Sequence, residues 1–371
     1  MTKVMTIVGT RPEVIRLSRV IARLDATVKH VLVHTGQNYD YELNGIFFDE
    51  LQIRKPDHFL EVDTSSLGRT LGEILIKTEA VLREERPDAV LILGDTNSSI
   101  AAVIAKRMRI PVYHMEAGNR CFDENVPEET NRRLVDHVAD FNLVYTEHAR
   151  RNLLGEGLHP RRILLTGSPM KEVLLHHREQ FDASTVLAEL GLDAGHYLLV
   201  SAHREENVDS PARLEALLDC LEAAHAEFGM PVVVSTHPRT RKRLDALGRQ
   251  PSAGLGFHEP MGFIDYIRLQ QQAHCVLSDS GTISEESAIL GFPAVTLRDS
   301  IERPEALDTG SIIMTGLGPD NLVEAVRAVV GSPSGGRTIP AEYAVDNCSE
   351  RVVNYILSTW RRHRDWAGIR P

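Results

Sequence analysis

The sequence predicts an α/β fold made of two doubly wound, Rossmann-like domains. The first reason is length, because 371 residues exceed what one typical hydrophobic core supports. The second reason is a repeated alternation of short apolar runs with helical segments. Runs that are apolar on both faces and lead into a helix are typical of a parallel sheet covered on two sides.

In the first half of the chain, residues 12–24 show the helical spacing most clearly, with apolar residues at 14, 17, 20, 21 and 24. A further helix is predicted from residue 100 to 108. The compact apolar runs that predict strands are residues 4–8, 31–33, 89–93, 112–115, 143–145 and 163–165.

The same pattern restarts after about residue 170. The predicted strands there are 197–200, 232–235, 275–278, 294–297 and 312–314, with helices near 210–228, 239–247, 262–272 and 282–290. We place the boundary near Ser168 and Pro169, where Gly-Ser-Pro interrupts the pattern. The expected domains are residues 1–168 and 169–350, and a helical tail, 351–371, is expected to pack back onto the first domain.

Composition and charge exclude several classes of protein. The net charge is −11, which argues against broad binding to nucleic acid or to an anionic membrane. No run approaches the roughly 20 apolar residues of a membrane span, and no signal peptide is visible, so a cytoplasmic protein is expected. Four widely separated cysteines lack the spacing of metal ligands and are expected to be reduced core residues. They are Cys121, Cys220, Cys275 and Cys348.

Five polar residues at positions 203–207, His-Arg-Glu-Glu-Asn, follow the apolar run 197–200 almost directly. In open α/β sheets, ligands bind at the carboxyl ends of strands. The His203 imidazole, with a neighbouring guanidinium and two carboxylates, can bind phosphate and move protons. The segment is therefore predicted to be part of a site.

Gly-Thr-Arg-Pro-Glu at 9–13 is the first of four further clusters at strand-to-helix junctions. Arg11 stands beside a helix N-terminus, which attracts anions, and Pro12 fits the first helical position. Phosphate binding and an ordinary capped helix start both remain open.

The second and third clusters carry acids. Asp95 ends an apolar strand and either points toward a ligand or caps the next helix. Glu116 also ends a strand, and Glu128 opens a helix with Arg132 four residues later. That Glu–Arg spacing is often only a solvated surface contact. Clustered carboxylates raise one another's pKa, however, which is how a general acid stays protonated near neutral pH.

The fourth cluster is the start of a helix after the strand 275–278. Amides and hydroxyls around Ser280, Gly281 and Thr282 can hold a diphosphate, and Glu286 can accept hydrogen bonds from ribose hydroxyls. A capping box is the alternative interpretation. Together the clusters predict an active-site cleft between the domains, with carboxylates from the first and a nucleotide cradle and His203 from the second.

The chain resembles the non-hydrolysing UDP-N-acetylglucosamine 2-epimerase family over nearly its whole length. The resemblance rests on ordered motifs: Gly-Thr-Arg-Pro-Glu at 9–13, Gly-Asp-Thr at 94–96, His-x-Glu-Ala-Gly at 114–118, Pro-Glu-Glu-x-Asn-Arg at 127–132, His-Arg-x-Glu-Asn at 203–207, Asp-Ser-Gly at 279–281 and Glu-Arg-Pro-Glu at 302–305. It implies a GT-B-like homodimer with a UDP-sugar substrate and no metal or other cofactor.

The resemblance also implies roles for individual residues. Asp95, Glu116 and Glu128 match the family's catalytic acids, and His203 matches the catalytic histidine near the diphosphate. The implied reaction inverts C2 of a UDP-2-acetamido sugar through loss of UDP, a 2-acetamidoglycal and return of UDP. The residues expected to bind substrate are Arg11, Arg16, Arg132, Ser280, Gly281, Thr282 and Glu286.

Departures from the family pattern favour a subgroup acting on modified sugars. Arg16 stands where many members have Lys, and Thr282 replaces a common Gly. The segment around 119–123 is shorter than in the plain enzymes, and Gln-Asn-Tyr-Asp-Tyr at 37–41 replaces a sequence linked to allosteric activation. Two alternatives stay open, a glycosyltransferase or UDP-sugar hydrolase and a non-catalytic nucleotide-sugar sensor.

Overall fold

The computed structural model describes residues 1–36, 48–236, 238–249, 252–332 and 338–370. The segment 37–41, which replaces the family sequence linked to allosteric activation, lies outside the described residues. The chain forms two compact units. The first unit is Met1–Leu175 with Ala341–Pro371, and the second is His176–Pro340. The division falls later than the expected 168/169, and the chain returns to the first unit earlier than the expected residue 351.

The first unit contains a parallel sheet with strand order β3-β2-β1-β4-β5-β6-β7. The chain enters at an interior strand, Lys3–Val8, and adds strands on both sides, which is the doubly wound arrangement. In register, Met5 of that strand lies opposite Val31 and Val90. The strands are β1 (Lys3–Val8), β2 (Lys29–His34), β3 (His58–Phe59), β4 (Ala89–Leu93), β5 (Val112–Met115), β6 (Phe141–Val144) and β7 (Ile163–Leu165).

Helices cover this sheet, and one long helix was not predicted. The missed helix is Leu67–Glu85, in which Leu67 and Ile76 are both about two-thirds exposed, so its apolar pattern is blurred. Short 3-10 turns lie at Asn97–Ile100, Pro160–Arg162 and Trp360–Arg362. The helices are α1 (Arg11–Thr27), α2 (Leu67–Glu85), α3 (Ala101–Arg107), α4 (Glu128–Val138), α5 (Glu147–Gly155) and α6 (Met170–His176).

The second unit repeats the architecture with strand order β10-β9-β8-β11-β12-β13, again parallel. Strand β10 was not predicted, because Gly256 and His258 interrupt its apolar run. The predicted fold class, α/β with two doubly wound parallel sheets, is confirmed. The strands are β8 (Leu198–Ser201), β9 (Val232–Ser235), β10 (Leu255–His258), β11 (Cys275–Ser278), β12 (Ala294–Thr296) and β13 (Ile313–Met314).

Helices pack on both faces of the second sheet. Cys220 and Cys275 are fully buried in its core beside Leu277, where each large apolar side chain contributes about 1.5–3 kcal/mol. The helices are α7 (Arg178–Ala183), α8 (Val186–Glu189), α9 (Glu205–Val208), α10 (Pro211–Phe228), α11 (Pro238–Leu247), α12 (Phe263–Gln272), α13 (Ile283–Leu290), α14 (Glu305–Asp308) and α15 (Pro319–Gly331).

The C-terminal tail belongs to the first unit. Its helix α16 (Cys348–Thr359) packs against α1, and a short helix α17 (His363–Trp366) follows. The Tyr113 hydroxyl lies 2.7 Å from that of Thr359, which ties the tail to the sheet. Within the described ranges, no helix is both long enough and apolar enough to cross a membrane.

Candidate active site

The acids of the first unit lie beyond the carboxyl ends of β4 and β5. Asp95 follows β4 after a glycine, Glu116 follows β5 directly, and Glu128 is the half-buried first residue of α4. Because neighbouring parallel strands end at the same edge of a sheet, Asp95 and Glu116 share one edge. Arg11, also half-buried, begins α1 beyond the end of β1.

Arg132 holds the Asp95 side chain. Its Nε and Nη2 atoms lie 3.0 and 2.6 Å from Oδ2 of Asp95. Thr96 is the N-cap of the following 3-10 turn, and among the described residues no side chain caps that turn. The helix-cap interpretation of Asp95 is therefore wrong. Arg132 is only 2% exposed, so the interpretation as a solvated surface residue is wrong too.

Glu129 is a site residue that the sequence analysis missed. Its Oε2 accepts a hydrogen bond from Nη1 of Arg132 at 2.5 Å and from the Cys121 N–H at 3.2 Å. Burial alone would raise the pKa of Glu129, but the hydrogen bonds from Cys121 and the charge of Arg132 lower it below its usual value. The i,i+3 spacing of Glu129 and Arg132 was visible in the sequence.

Glu116 occupies a strained and buried position. Its φ is 62°, in the left-handed region that non-glycine residues rarely adopt, at a cost of about 1–3 kcal/mol. Its carboxylate pairs with the guanidinium of Arg16, and both side chains are under 10% exposed. Arg16 is thus brought to the same edge of the sheet as Glu116, although it lies five positions along the helix from Arg11.

Glu13 links two of the predicted loops and was also missed as a site residue. One carboxylate oxygen accepts the backbone N–H groups of Gly9 and Thr10. The other accepts the hydroxyl groups of Thr96 and Ser98. Burial raises the pKa of Glu13 despite these four hydrogen bonds. The motif 9–13 contains Glu13, but its hydrogen bonds to Thr96 and Ser98, beyond the end of β4, could not be inferred from the sequence.

In the second unit, Asp279 organises the segment that begins with His203. This fully buried carboxylate accepts the N–H of His203 at 3.1 Å and that of Arg204 at 3.0 Å. It also accepts the Asn207 side-chain amide at 3.1 Å. The His203 ring stays 46% exposed, with Nδ1 3.5 Å from Oδ1 of Asp279. The imidazole is therefore held in place yet open to a ligand.

The loop before α13 presents hydroxyl groups. Oγ of Ser280 lies 2.9 Å from Oγ1 of Thr282, the N-cap residue of α13. Within the described part of the chain, the Thr282 side chain makes no capping hydrogen bond, whereas Oγ of Ser280 accepts the Thr282 N–H at 3.4 Å, so a cap on Ser280 remains open. Glu286, one turn into the helix, is buried and accepts a 2.7 Å hydrogen bond from the Gln270 amide.

Gly281 is packed too tightly for a larger residue. A Cβ atom at this position would lie 2.8 Å from Oε1 of Glu302 and 3.6 Å from Nη2 of Arg204. Glu302 accepts hydrogen bonds from Arg204 at 3.1 Å and from Arg298. Arg303 donates to the Gly281 carbonyl. Arg204 and Arg303, each paired with a carboxylate, thus lie close to Gly281, the residue between the two hydroxyl-bearing residues.

Comparison with known proteins finds one family over nearly the whole chain. The family model described as UDP-N-acetylglucosamine 2-epimerase matches residues 22–357. The UDP-2,3-diacetamido-2,3-dideoxy-D-glucuronate 2-epimerase of Pseudomonas aeruginosa is 34% identical over 363 residues, covering 95% of this chain and 99% of that protein.

Two solved structures are similar over nearly the whole chain. The UDP-N-acetylglucosamine 2-epimerase of Rickettsia bellii is 44% identical, with a TM-score of 0.92 and 98% of each chain covered. The Methanocaldococcus jannaschii UDP-GlcNAc 2-epimerase in complex with UDP-GlcNAc and UDP is 33% identical, with a TM-score of 0.91, covering 96% of this chain and all of that one. The chain belongs to the UDP-N-acetylglucosamine 2-epimerase family.

Proposed function

We propose that this protein is a cytoplasmic isomerase that inverts C2 of a UDP-2-acetamido sugar for surface polysaccharide precursors. The observation that supports it most is the pairing of two acids at adjacent strand ends with separate guanidinium groups. Asp95 is held by Arg132, and Glu116 by Arg16. Binding an anionic sugar nucleotide gains nothing from extra carboxylates, whereas proton transfer at carbon requires them.

The chemistry explains why two acids and an anion site are needed together. The hydrogen at C2 is barely acidic, so UDP must first leave C1, with oxocarbenium character developing on the ring. A base then removes the C2 proton, which gives a 2-acetamidoglycal and UDP. A proton delivered to the opposite face and re-addition of UDP complete the inversion. Asp95, Glu116 and Glu128 supply the acid and base groups in this proposal.

The second unit holds the leaving group. His203 donates to the diphosphate and stabilises the charge that develops as the C1–O bond breaks. Ser280, Gly281 and Thr282 hold the phosphates, and Glu286 accepts hydrogen bonds from the ribose. Arg11 of the first unit adds a further phosphate contact. The reaction as written needs no net oxidant or reductant, since the proton and UDP both return.

We further propose that the substrate carries a modified sugar and that the active species is a homodimer. The Pseudomonas aeruginosa relative acts on a UDP-2,3-diacetamido sugar, by its name, and at 34% identity it is about as similar as the Methanocaldococcus jannaschii relative named for the plain substrate, at 35%. Arg16 offers Glu116 a planar fork of donors that Lys lacks. Thr282 adds a hydroxyl 2.9 Å from that of Ser280.

A panel of UDP-2-acetamido sugars incubated with the protein in deuterated water tests the function. NMR should show deuterium at C2 and a mixture of C2 epimers with little free UDP. Free UDP rising in proportion to consumed sugar favours the hydrolase or glycosyltransferase alternative. UDP binding without any product favours a sensor. Turnover without exchange at C2 would eliminate the epimerase mechanism.

A further inference from the structure

We propose that His114 is a positioning residue that sets the spacing between the acids Asp95 and Glu116. The inference rests on the proposed epimerisation and adds a residue to it. His114 lies in β5, two positions before Glu116, and its side chain is completely buried. It does not reach solvent, so its role must act through the groups that it contacts.

The first contact ties β5 to the turn that carries Asp95. Nε2 of His114 lies 2.7 Å from the carbonyl oxygen of Gly94. A carbonyl only accepts hydrogen bonds, so Nε2 must carry a proton. Gly94 immediately precedes Asp95. One imidazole therefore connects the backbone beside one acid to the strand that ends in the other.

This connection is placed where the β-sheet pairing stops. The β4–β5 register ends with Leu93 opposite Met115, and the Gly94 N–H then bonds to the Met115 carbonyl at 2.9 Å. Gly94 and Glu116 both turn into the left-handed region, with φ of 70° and 62°. The hydrogen bond from His114 thus holds Gly94 at its carbonyl oxygen, at the point where the pairing of the two strands ends.

The second ring nitrogen lies beside a buried carboxylate. Nδ1 of His114 lies 2.9 Å from Oδ1 of Asp136, a fully buried residue of α4. Asp136 also accepts the Gly118 N–H at 3.1 Å and Nη1 of Arg120 at 2.7 Å. Because α4 carries both Asp136 and Arg132, the helix that holds the Asp95 side chain also lies against the ring that bonds to Gly94.

Two substitutions separate the contacts of the two nitrogens. The amide nitrogen of Gln takes about the place of Nε2 of histidine, and that of Asn takes about the place of Nδ1. His114→Gln should keep the bond to Gly94 and most of the turnover. His114→Asn should keep a donor toward Asp136 but lose the bond to Gly94. We expect kcat to fall by about 100-fold in His114→Asn, the size expected for a small misplacement of reacting groups.

The readout is deuterium incorporation at C2, followed as kcat and KM, together with UDP affinity. A positioning role predicts a fall in kcat with unchanged KM and UDP affinity. Equal loss in both variants, or wild-type turnover in His114→Asn, overturns the proposal. Wild-type protein that shows no exchange at all contradicts the proposed epimerisation instead.

A measurement on the wild type decides the question even if neither variant folds. Nitrogen-15 NMR of histidine-labelled protein should show a proton on Nε2 of His114 that exchanges slowly with water. A tautomer with bare Nε2 cannot donate to Gly94, and it would refute the positioning role whatever the variants do.

Discussion

One carboxylate oxygen of Asp95 accepts two hydrogen bonds from the guanidinium of Arg132, at 2.6 and 3.0 Å. Arg132 is buried, and its Nη1 atom binds Glu129 at 2.5 Å. The Asp95 side chain is 22% exposed. The acid is thus oriented from its buried side while its other oxygen remains available to a substrate, which is the arrangement that proton transfer requires.

Replacing Asp95 with Asn should remove proton transfer and leave the structure of the site. The Asn oxygen can still accept from Arg132, so UDP affinity and thermal stability should stay near wild type. Turnover should fall by about 100-fold or more, the usual contribution of a general acid or base. Asp219→Asn is the control, because Asp219 pairs with Arg249 at 2.7 Å on the protein surface. Near-normal turnover in Asp95→Asn would show that the assigned role is wrong.

Gly281→Ala should weaken UDP binding because its Cβ would lie 2.8 Å from Oε1 of Glu302. The carboxylate must move, and its hydrogen bond to Arg204 is disturbed. A dissociation constant raised by about tenfold corresponds to the usual cost of such overpacking, and calorimetry with UDP measures it. Gly331→Ala is the matched control, since among the described residues no atom outside its own helix and chain neighbours lies within 4 Å of its added Cβ, so its affinity should be unchanged. Equal affinities in the two variants would contradict the packing argument.

Glu13 should make the first unit less stable as the pH rises. Burial raises its folded-state pKa above the usual 4.5, so the folded protein holds the proton to higher pH than the unfolded chain. Between those two pKa values the free energy of unfolding must fall with rising pH. Glu13→Gln does not titrate. The free energy of unfolding of the wild type minus that of Glu13→Gln should therefore decrease across that interval and then level off.

Denaturant unfolding followed by tryptophan fluorescence measures this difference. Both tryptophans of the chain, Trp360 and Trp366, lie in the first unit with Glu13, so their fluorescence reports the unfolding of the unit that contains Glu13. A difference that is independent of pH, or that increases with pH, would mean that Glu13 ionises in the folded protein as easily as in the unfolded chain.

His34, unlike Glu13, should make the folded protein more stable as the pH rises. Burial lowers the pKa of His34 from 6.5 to about 4, and its Nδ1 accepts the Gly36 N–H at 3.0 Å. Between pH 4 and 6.5 the unfolded chain binds the extra proton. The stability that neutral His34 contributes is thus present above pH 6.5 and is lost as the pH falls toward 4.

His34→Asn tests this effect, because the Asn oxygen can accept the Gly36 N–H without titrating. The variant also loses the ring stack on Phe59, where the centroids lie 5.0 Å apart, and that should cost about 1 kcal/mol at every pH. The wild-type advantage in unfolding free energy should therefore grow from pH 4 to 6.5. A constant advantage would refute a depressed pKa.

Much of the fold and the positions of the candidate acids could be predicted from local patterns. Strands such as Ala89–Leu93 are apolar on both faces, and Asp95 and Glu116 follow strand ends directly. Helix Leu67–Glu85 escaped prediction because its exposed Leu67 and Ile76 disturb the spacing. Strand His58–Phe59 is only two residues long, which is too short to show a periodic pattern of apolar residues.

The partners of the site residues were beyond prediction because they come from distant parts of the chain. Arg16 pairs with Glu116, which lies 100 positions later in the sequence. Glu13 accepts a hydrogen bond from Ser98, which lies 85 positions later. Spacing along one helix pointed only to Glu128 as a partner of Arg132; the fold also brings Asp95 to it, from the end of a strand.

Sequence alone determined the alternation of strands and helices and the polar residues at their ends, since both depend on neighbouring side chains and the period of the backbone. Tertiary structure alone decided which charges meet, which carboxylates are buried and which backbone angles are strained. A salt bridge between remote residues depends on how strands stack and where each turn leaves the sheet. No local pattern carries that information.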